Sequence, residues 1–168
     1  MRIRFHHILI LFSAIFLTAC KGGYSFTGGN VGDAKSMQVD FFDNNAQIVN
    51  PEASQWVTEA IKDIFVQQTP LELVQGPADM YISGEISEYS LRPQAARGPS
   101  EVAQMMFTIS VQVEFINELA PENNFNAKFS RSRPYDADLN FSDIENELAA
   151  EIIKELREDV LNRAIANW

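Results

Sequence analysis

The chain has 168 residues, with 13 lysines and arginines against 23 aspartates and glutamates, and a formal net charge of −10. Such an acidic surface repels nucleic acid and anionic membrane faces, so we expect no nucleic-acid partner. Hydrophobic residues make up 46% of the chain and aromatic residues 11%, which predicts a folded domain with a sizeable core.

Residues 1–19 are typical of a secretory signal peptide. Arg2 and Arg4 precede an apolar run at residues 8–16, and Ala19 stands directly before Cys20. A basic start, an apolar stretch of about 7–15 residues and a small residue at the cleavage site define such a segment, whereas a membrane-spanning helix needs about 20 apolar residues. A buried N-terminal strand or helix is the alternative, but it does not explain the two arginines.

The sequence Leu-Thr-Ala-Cys at residues 17–20 resembles the lipobox of bacterial lipoproteins. The resemblance implies cleavage before Cys20 and attachment of acyl chains to that cysteine, which anchors the protein to a membrane. Ordinary Ala-x-Ala cleavage is the alternative, and it would leave a free thiol, which is unusual in an oxidising compartment. We therefore predict a lipidated N-terminus and tether over residues 20–35, glycine-rich at its start, and one domain over residues 36–168.

The side chains available for catalysis are few. Both histidines, His6 and His7, lie in the predicted signal peptide, and Cys20 is the only cysteine. The mature chain therefore lacks the groups for Ser-His-Asp or Cys-His catalysis and for histidine- or thiolate-ligated metals. We expect no cofactor, no metal and no enzymatic activity. A hydrolase that uses paired carboxylates is the remaining enzymatic alternative, although the acidic residues 143–159 have the spacing of a solvated helix face.

The first half of the domain predicts a strand, a helix and a short strand. Met37, Val39 and Phe41 alternate with polar residues, which predicts a strand with these three side chains facing inward. Asn50 and Pro51 suit the N-cap and first position of a helix. Its apolar stripe, which we interpret as core, contains Trp56, Val57, Ala60, Ile61, Ile64 and Phe65. A short strand follows at residues 71–74.

Three longer strands follow, at residues 80–93, 102–117 and 125–133. In the first of them, the apolar side chains that face inward occupy even-numbered positions up to Ile86 and odd-numbered positions from Tyr89. This change predicts a bulge near Glu88. The second alternates without a break from Met105 to Phe115. The third returns with its apolar residues Phe125, Ala127 and Phe129 inward.

Residues 142–168 predict a long amphipathic helix. Ser142 and Glu145 match a capping box, and apolar residues repeat every four positions from Ile144 to Trp168. The element order is therefore β-α-β-β-β-β-α. Strands with one polar face pair as hairpins, and helices cover the other face. This predicts an α+β fold, a two-layer sandwich of a mostly antiparallel sheet with two helices packed on one face.

Cys20, the stretch GYSFTG at residues 23–28 and this element order together resemble the lipopolysaccharide-assembly lipoprotein family LptE. The residue-level likeness is confined to Cys20, GYSFTG and the ending RAIANW. The resemblance implies a non-enzymatic outer-membrane lipoprotein that sits in the LptD β-barrel and helps to insert lipopolysaccharide. The absence of an acidic residue in Lys-Gly-Gly after Cys20 favours the periplasmic face of that membrane.

The strong acidity departs from what a lipopolysaccharide binder needs. Only a few basic side chains offer a local patch for the phosphates of that lipid, and ordinary surface solubility is the alternative explanation for them. They are Arg92, Arg97, Lys128, Arg131 and Arg133. A different class of function also remains open: a periplasmic lipoprotein that binds a small apolar ligand between sheet and helices, without a barrel partner.

Cys20→Ser should abolish lipidation and membrane retention and leave the domain folded, because Cys20 lies outside every predicted strand and helix. Metabolic labelling with an acyl precursor measures the first effect and circular dichroism the second. Label retained on the substituted protein would contradict the lipobox interpretation.

Overall fold

The computed structural model describes residues 31–48, 50–94 and 103–165. Its strands are β1 (Ser36–Val39), β2 (Asp43–Asn44), β3 (Glu72–Leu73), β4 (Met80–Gln94), β5 (Gln104–Asn117) and β6 (Phe125–Asp136). Its helices are α1 (Ala53–Gln68), between β2 and β3, and α2 (Phe141–Ile165), after β6. The predicted α+β class with a mostly antiparallel sheet is confirmed, and β2 is the strand that the sequence pattern did not predict.

The six strands form one mixed sheet in the order β3-β1-β4-β5-β6, with β2 also paired to β4. Short connections join β4 to β5 and β5 to β6, and these neighbours are antiparallel. β1 and β2 pair with β4 in parallel, and β3 pairs with β1 in parallel. Parallel neighbours need a long crossover, and α1 supplies the one between β1 and β3.

The bulge predicted near Glu88 is confirmed. Ile86 pairs with Val111, and the next pair is Glu88 with Ser110, so Ser87 is the extra residue of β4. Because side chains alternate with a period of two, one extra residue moves the following odd-numbered side chains to the inner face. Tyr89 is consequently only 1% exposed.

Both helices cover the same face of the sheet. Val57 and Ile61 of α1, with Leu156 and Val160 of α2, surround Val111 of β5. These five side chains are at most 3% exposed, and the space between them has no room for a water molecule. Side chains therefore fill the space between helices and sheet at this point. A small apolar ligand bound between the two layers would need a cleft there.

The expectation that Phe41 faces inward is wrong. Phe41 is 58% exposed, and Phe42 is completely buried in its place. The strand predicted to continue to residue 41 ends at Val39, and β2 begins only at Asp43. Residues 40–42, between the two strands, do not continue the strand alternation. As a result Phe42, and not Phe41, faces the core.

Gly84 provides the space that Phe42 occupies. A Cβ at Gly84 would lie 2.5 Å from Phe42 Cε1 and 2.3 Å from the carbonyl oxygen of Gln112, and neither approach is sterically possible. The backbone N–H of Phe42 donates to Thr58 Oγ1 at 3.0 Å, which ties this step of the chain to α1. The core also includes Val31, within the predicted tether, which is 6% exposed.

Neither helix starts where it was predicted to. The N-cap predicted at Asn50 and the first helical position predicted at Pro51 are wrong, because α1 begins at Ala53 with Glu52 as its N-cap. Asn50 Oδ1 accepts a hydrogen bond from the N–H of Glu52 at 2.8 Å in the turn before the helix. The capping box predicted for α2 is wrong, because the helix begins at Phe141 and Asn140 Oδ1 accepts the N–H of Ser142 at 3.3 Å. Glu145 therefore does not cap the start of α2.

Phe107→Ala and Leu156→Ala should each lower the free energy of unfolding by about 2–5 kcal/mol, as deletion of buried side chains does. Phe107 is 0% and Leu156 3% exposed, and the Phe107 ring lies 4.8 Å from that of Tyr89 and 5.0 Å from that of Phe141. Urea unfolding measures the loss. Val66→Ala, at a position 52% exposed on α1, is the control and should change stability by less than about 0.5 kcal/mol. Equal effects at Phe107 and Val66 would contradict the assigned core.

Candidate interaction surfaces

The sheet face opposite the helices is polar and carries its own hydrogen-bond ladder. Thr108 and Ser132 face each other across β5 and β6 with their hydroxyl oxygens 2.8 Å apart, and Ser110 Oγ donates to Ser130 Oγ at 2.8 Å. Ser110 has no exposed surface, although no helix covers this face. Cross-strand hydroxyl pairs of this kind stabilise a sheet and leave a flat, hydrophilic face.

Glu88 is the centre of charge on this open face, because the bulge turns it outward. Its carboxylate accepts hydrogen bonds from Ser90 Oγ at 2.9 Å, Arg92 Nη2 at 2.9 Å and Ser110 Oγ at 3.2 Å, and Lys128 Nζ lies 3.5 Å away. The Ser90 hydrogen bond, with smaller effects from Ser110, Arg92 and Lys128, holds the pKa of Glu88 below its usual value. The Arg92 side chain remains 72% exposed and accessible to an external group.

Arg131 and Arg133 project from β6 on the other face and reach α2. Arg131 donates to both carboxylate oxygens of Asp159, each at 2.7 Å. Arg133 Nε donates to Glu151 at 3.0 Å, and Arg133 Nη2 also contacts Glu155. These hydrogen bonds raise the pKa of both arginines. Both arginines are therefore engaged by acidic residues of the helix.

The four described residues of the predicted lipopolysaccharide patch thus do not share one surface. Arg92 and Lys128 lie on the open sheet face around Glu88, whereas Arg131 and Arg133 lie under α2. Residues two apart along a strand share a face, and Lys128 and Arg131 are three apart, so β6 places them on opposite sides. Arg97 and the predicted lipidation site Cys20 lie outside the described residues.

A half-buried polar junction between β4, α2 and the residues before α1 was missed in the sequence. Tyr89 OH donates to Glu145 Oε1 at 2.5 Å, and Asn50 Nδ2 donates to the same oxygen at 2.7 Å. Burial raises the pKa of Tyr89, and the hydrogen bond to Glu145 adds to that effect. The residues are separated by 56 and 95 positions in the chain, so no local pattern links them.

Within the described ranges, no three or more His, Cys, Asp and Glu side chains are grouped so that they could hold a metal ion. In the same part of the chain, no helix is long and apolar enough to cross a membrane.

The sequence matches the model of the family described as "LptE: Lipopolysaccharide-assembly" over residues 34–164. The fold is similar to that of a minor lipoprotein from Acinetobacter baumannii, with a TM-score of 0.55 and 13% identity over 80% of this chain and 94% of that chain. A hypothetical protein from Chlamydia trachomatis aligns with a TM-score of 0.53 and 11% identity over 80% of this chain and 99% of that chain. At these identities the two structures support the fold alone. No curated protein sequence matches the chain.

Arg133→Glu should lower the melting temperature, because a third carboxylate would then join Glu151 and Glu155. The loss should be larger at low salt, since exposed charges are screened beyond about 10 Å at 0.1 M. Adding Glu155→Arg reverses the pair and should restore much of the stability. Circular dichroism melts at two salt concentrations measure both effects. A single variant that melts like the wild type would show that these ion pairs do not hold α2 to β6.

Proposed function

Because the chain belongs to the lipopolysaccharide-assembly LptE family, which its match over residues 34–164 shows, we propose that it is an outer-membrane lipoprotein that partners an LptD-like β-barrel. Together the two proteins insert lipopolysaccharide into the outer membrane. The family match is the observation that carries this proposal. The polar sheet face and the N-terminal sequence support it.

The N-terminal sequence supports the lipoprotein part of the proposal. Residues 17–20 match the lipobox, and the apolar run before them is shorter than a membrane-spanning helix. Acylation of Cys20 would hold the domain at the membrane, at its periplasmic face, and an acidic domain has no electrostatic attraction of its own to anionic lipids.

The polar sheet face supports the partnership with a barrel. The interior of a large membrane barrel is polar, so a domain that enters it needs a hydrophilic surface. The open face satisfies its hydroxyl groups internally, as in the Ser110–Ser130 pair, and still exposes Arg92. We therefore assign this face to the barrel partner. We propose that the protein acts there by binding, since the mature chain contains no histidine and therefore lacks the imidazole that Ser-His-Asp catalysis needs.

Lipopolysaccharide contact is assigned to the same face. Arg131 and Arg133 are neutralised by carboxylates of α2, so their charges are poorly available to an external phosphate. Arg92 and Lys128 both form ion pairs with Glu88. Two positive charges therefore face one negative charge, and this group of three side chains is net positive. We propose Arg92 and Lys128 as the phosphate contacts, with Arg97 from the adjoining connection.

Depletion of the protein should lower both the amount of correctly assembled LptD-like barrel and the amount of lipopolysaccharide at the cell surface. Wild-type protein expressed in trans should restore both quantities. Arg92→Glu with Lys128→Glu should lower surface lipopolysaccharide more than it lowers barrel assembly, because the reversed charges repel phosphate. Arg131→Glu with Asp159→Arg exchanges the charges of the closest ion pair between β6 and α2, leaves Glu155 with Arg133, and is the control.

Co-purification from detergent-solubilised outer membranes tests the partnership directly. A large barrel protein should accompany the tagged wild type. Normal barrel assembly and normal surface lipopolysaccharide in depleted cells, with no barrel in the purified sample, would contradict the proposal and leave the ligand-binding lipoprotein as the alternative.

A further inference from the structure

A groove of about 690 Å³ runs between α1 and α2 on the outer side of the helical layer. Its apolar lining comes from both helices and consists of Trp56, Ala60, Ala150 and Ile153. Trp56 and Ala60 are half-buried and pack against the core. The two alanines keep the groove open between the larger side chains. Its volume lies within the range of about 300–1,000 Å³ that is typical of small-molecule sites.

The two walls of the groove carry opposite charges. Glu59 and Asp63 line it from α1, and Lys154 and Arg157 line it from α2. Glu59 forms its ion pair with Lys62 on its own helix, at 3.0 Å, and not with a residue across the groove. The groove is thus bounded by a carboxylate wall and a cationic wall that do not neutralise each other.

The cationic wall differs from the other basic clusters of the described chain. Arg92, Lys128, Arg131 and Arg133 all form ion pairs, whereas the described residues provide no ion-pair partner for Lys154 or Arg157. The Nε of Arg157 is also closed off from solvent and has no hydrogen-bond partner. A partly desolvated guanidinium that forms no ion pair of its own offers its remaining N–H groups to an incoming anion, and it interacts with that anion more strongly than a fully hydrated one does.

The opposite charges of the two walls determine which kind of ligand can bind in the groove. An anion placed against Lys154 and Arg157 would face the carboxylates of α1, and a cation placed against α1 would face the basic wall. A head group with both charges satisfies both walls, and an acyl chain covers the apolar lining. We propose that the groove binds a zwitterionic single-chain phospholipid. Its phosphate lies at Arg157 and Lys154, its ammonium group lies at Asp63 and Glu59, and its acyl chain lies beside Trp56.

Trp56 fluorescence tests the proposal in the otherwise intact mature protein. Trp168→Phe leaves Trp56 as the only tryptophan. Three probes with saturated chains of equal length are titrated below the concentration of micelle formation: a lysophosphatidylethanolamine, an alkyl phosphate and an alkylamine. The zwitterion should give a saturable change and bind about tenfold tighter than either probe that carries charge of one sign only, the difference that one charged hydrogen bond makes.

Variants that each remove one charge then test which wall contacts the phosphate and which contacts the ammonium group. Arg157→Gln and Lys154→Gln should each weaken binding of the zwitterion about tenfold or less and leave alkylamine binding unchanged or tighter. Asp63→Asn should weaken the zwitterion and not the alkyl phosphate. Lys35→Gln, at an exposed lysine that lines neither the groove nor the proposed phosphate contact, is the matched control and should change none of the three affinities. Circular dichroism confirms that each variant is folded, and the exposed Lys154 provides a test if Arg157→Gln is unstable.

Three results would overturn the proposal. Equal affinities for all three probes would mean that the chains merely partition onto apolar surface. The absence of a saturable signal would mean that the groove does not hold this lipid and leaves it for a partner protein. Affinities unchanged in both Arg157→Gln and Lys154→Gln would mean that the phosphate does not lie at that wall. None of these results bears on barrel assembly, so the proposed function is tested separately.

Discussion

The alternation of β5 is the constraint on which the two layers depend. This strand is hydrogen-bonded on both sides, to β4 and β6, and its inward row has no exposed surface: Phe107, Ile109, Val111, Val113 and Phe115. A slip of one residue would bring that row to the open face and place the hydroxyl ladder under the helices, which would bury unpaired polar groups. Two features keep β4 in step with β5. The bulge at Ser87 restores the inward direction at Tyr89, and Gly84 admits the ring of Phe42.

Most basic side chains described in this acidic chain form ion pairs with nearby carboxylates. The strand β6 reads as basic, with Lys128, Arg131 and Arg133 within six positions, yet it does not form a basic surface. Exposed ion pairs individually contribute about 0–1 kcal/mol. Here two arginines and three carboxylates form a continuous network along one helix–strand contact at the sheet edge. The positive charge that remains accessible is found elsewhere, beside Glu88 and in the groove between the helices.

The two-layer arrangement therefore leaves two unlike surfaces for two unlike partners. The open sheet face is flat and hydrogen-bonded within itself, properties that suit contact with a polar barrel wall and with phosphate. The helical surface has a groove with an apolar lining and walls of opposite charge, properties that suit an amphiphile. Because the filled interior lies between these surfaces, each can bind without a rearrangement of the core.

The sequence by itself determined the element order, the fold class and the bulge near Glu88, because these follow from periodicities of two and 3.6 residues that are local in the chain. It also carries the lipobox-like stretch at residues 17–20 and the family likeness. Local periodicity could not decide the choice between Phe41 and Phe42, since that depends on where β1 stops pairing with β4. The tertiary structure alone separated Arg92 from Arg131 and brought Glu145 to Tyr89. The physical reason is the same in each case: a side chain's partner across a sheet or beneath a helix is set by strand register and helix docking, which join residues that are distant in the chain.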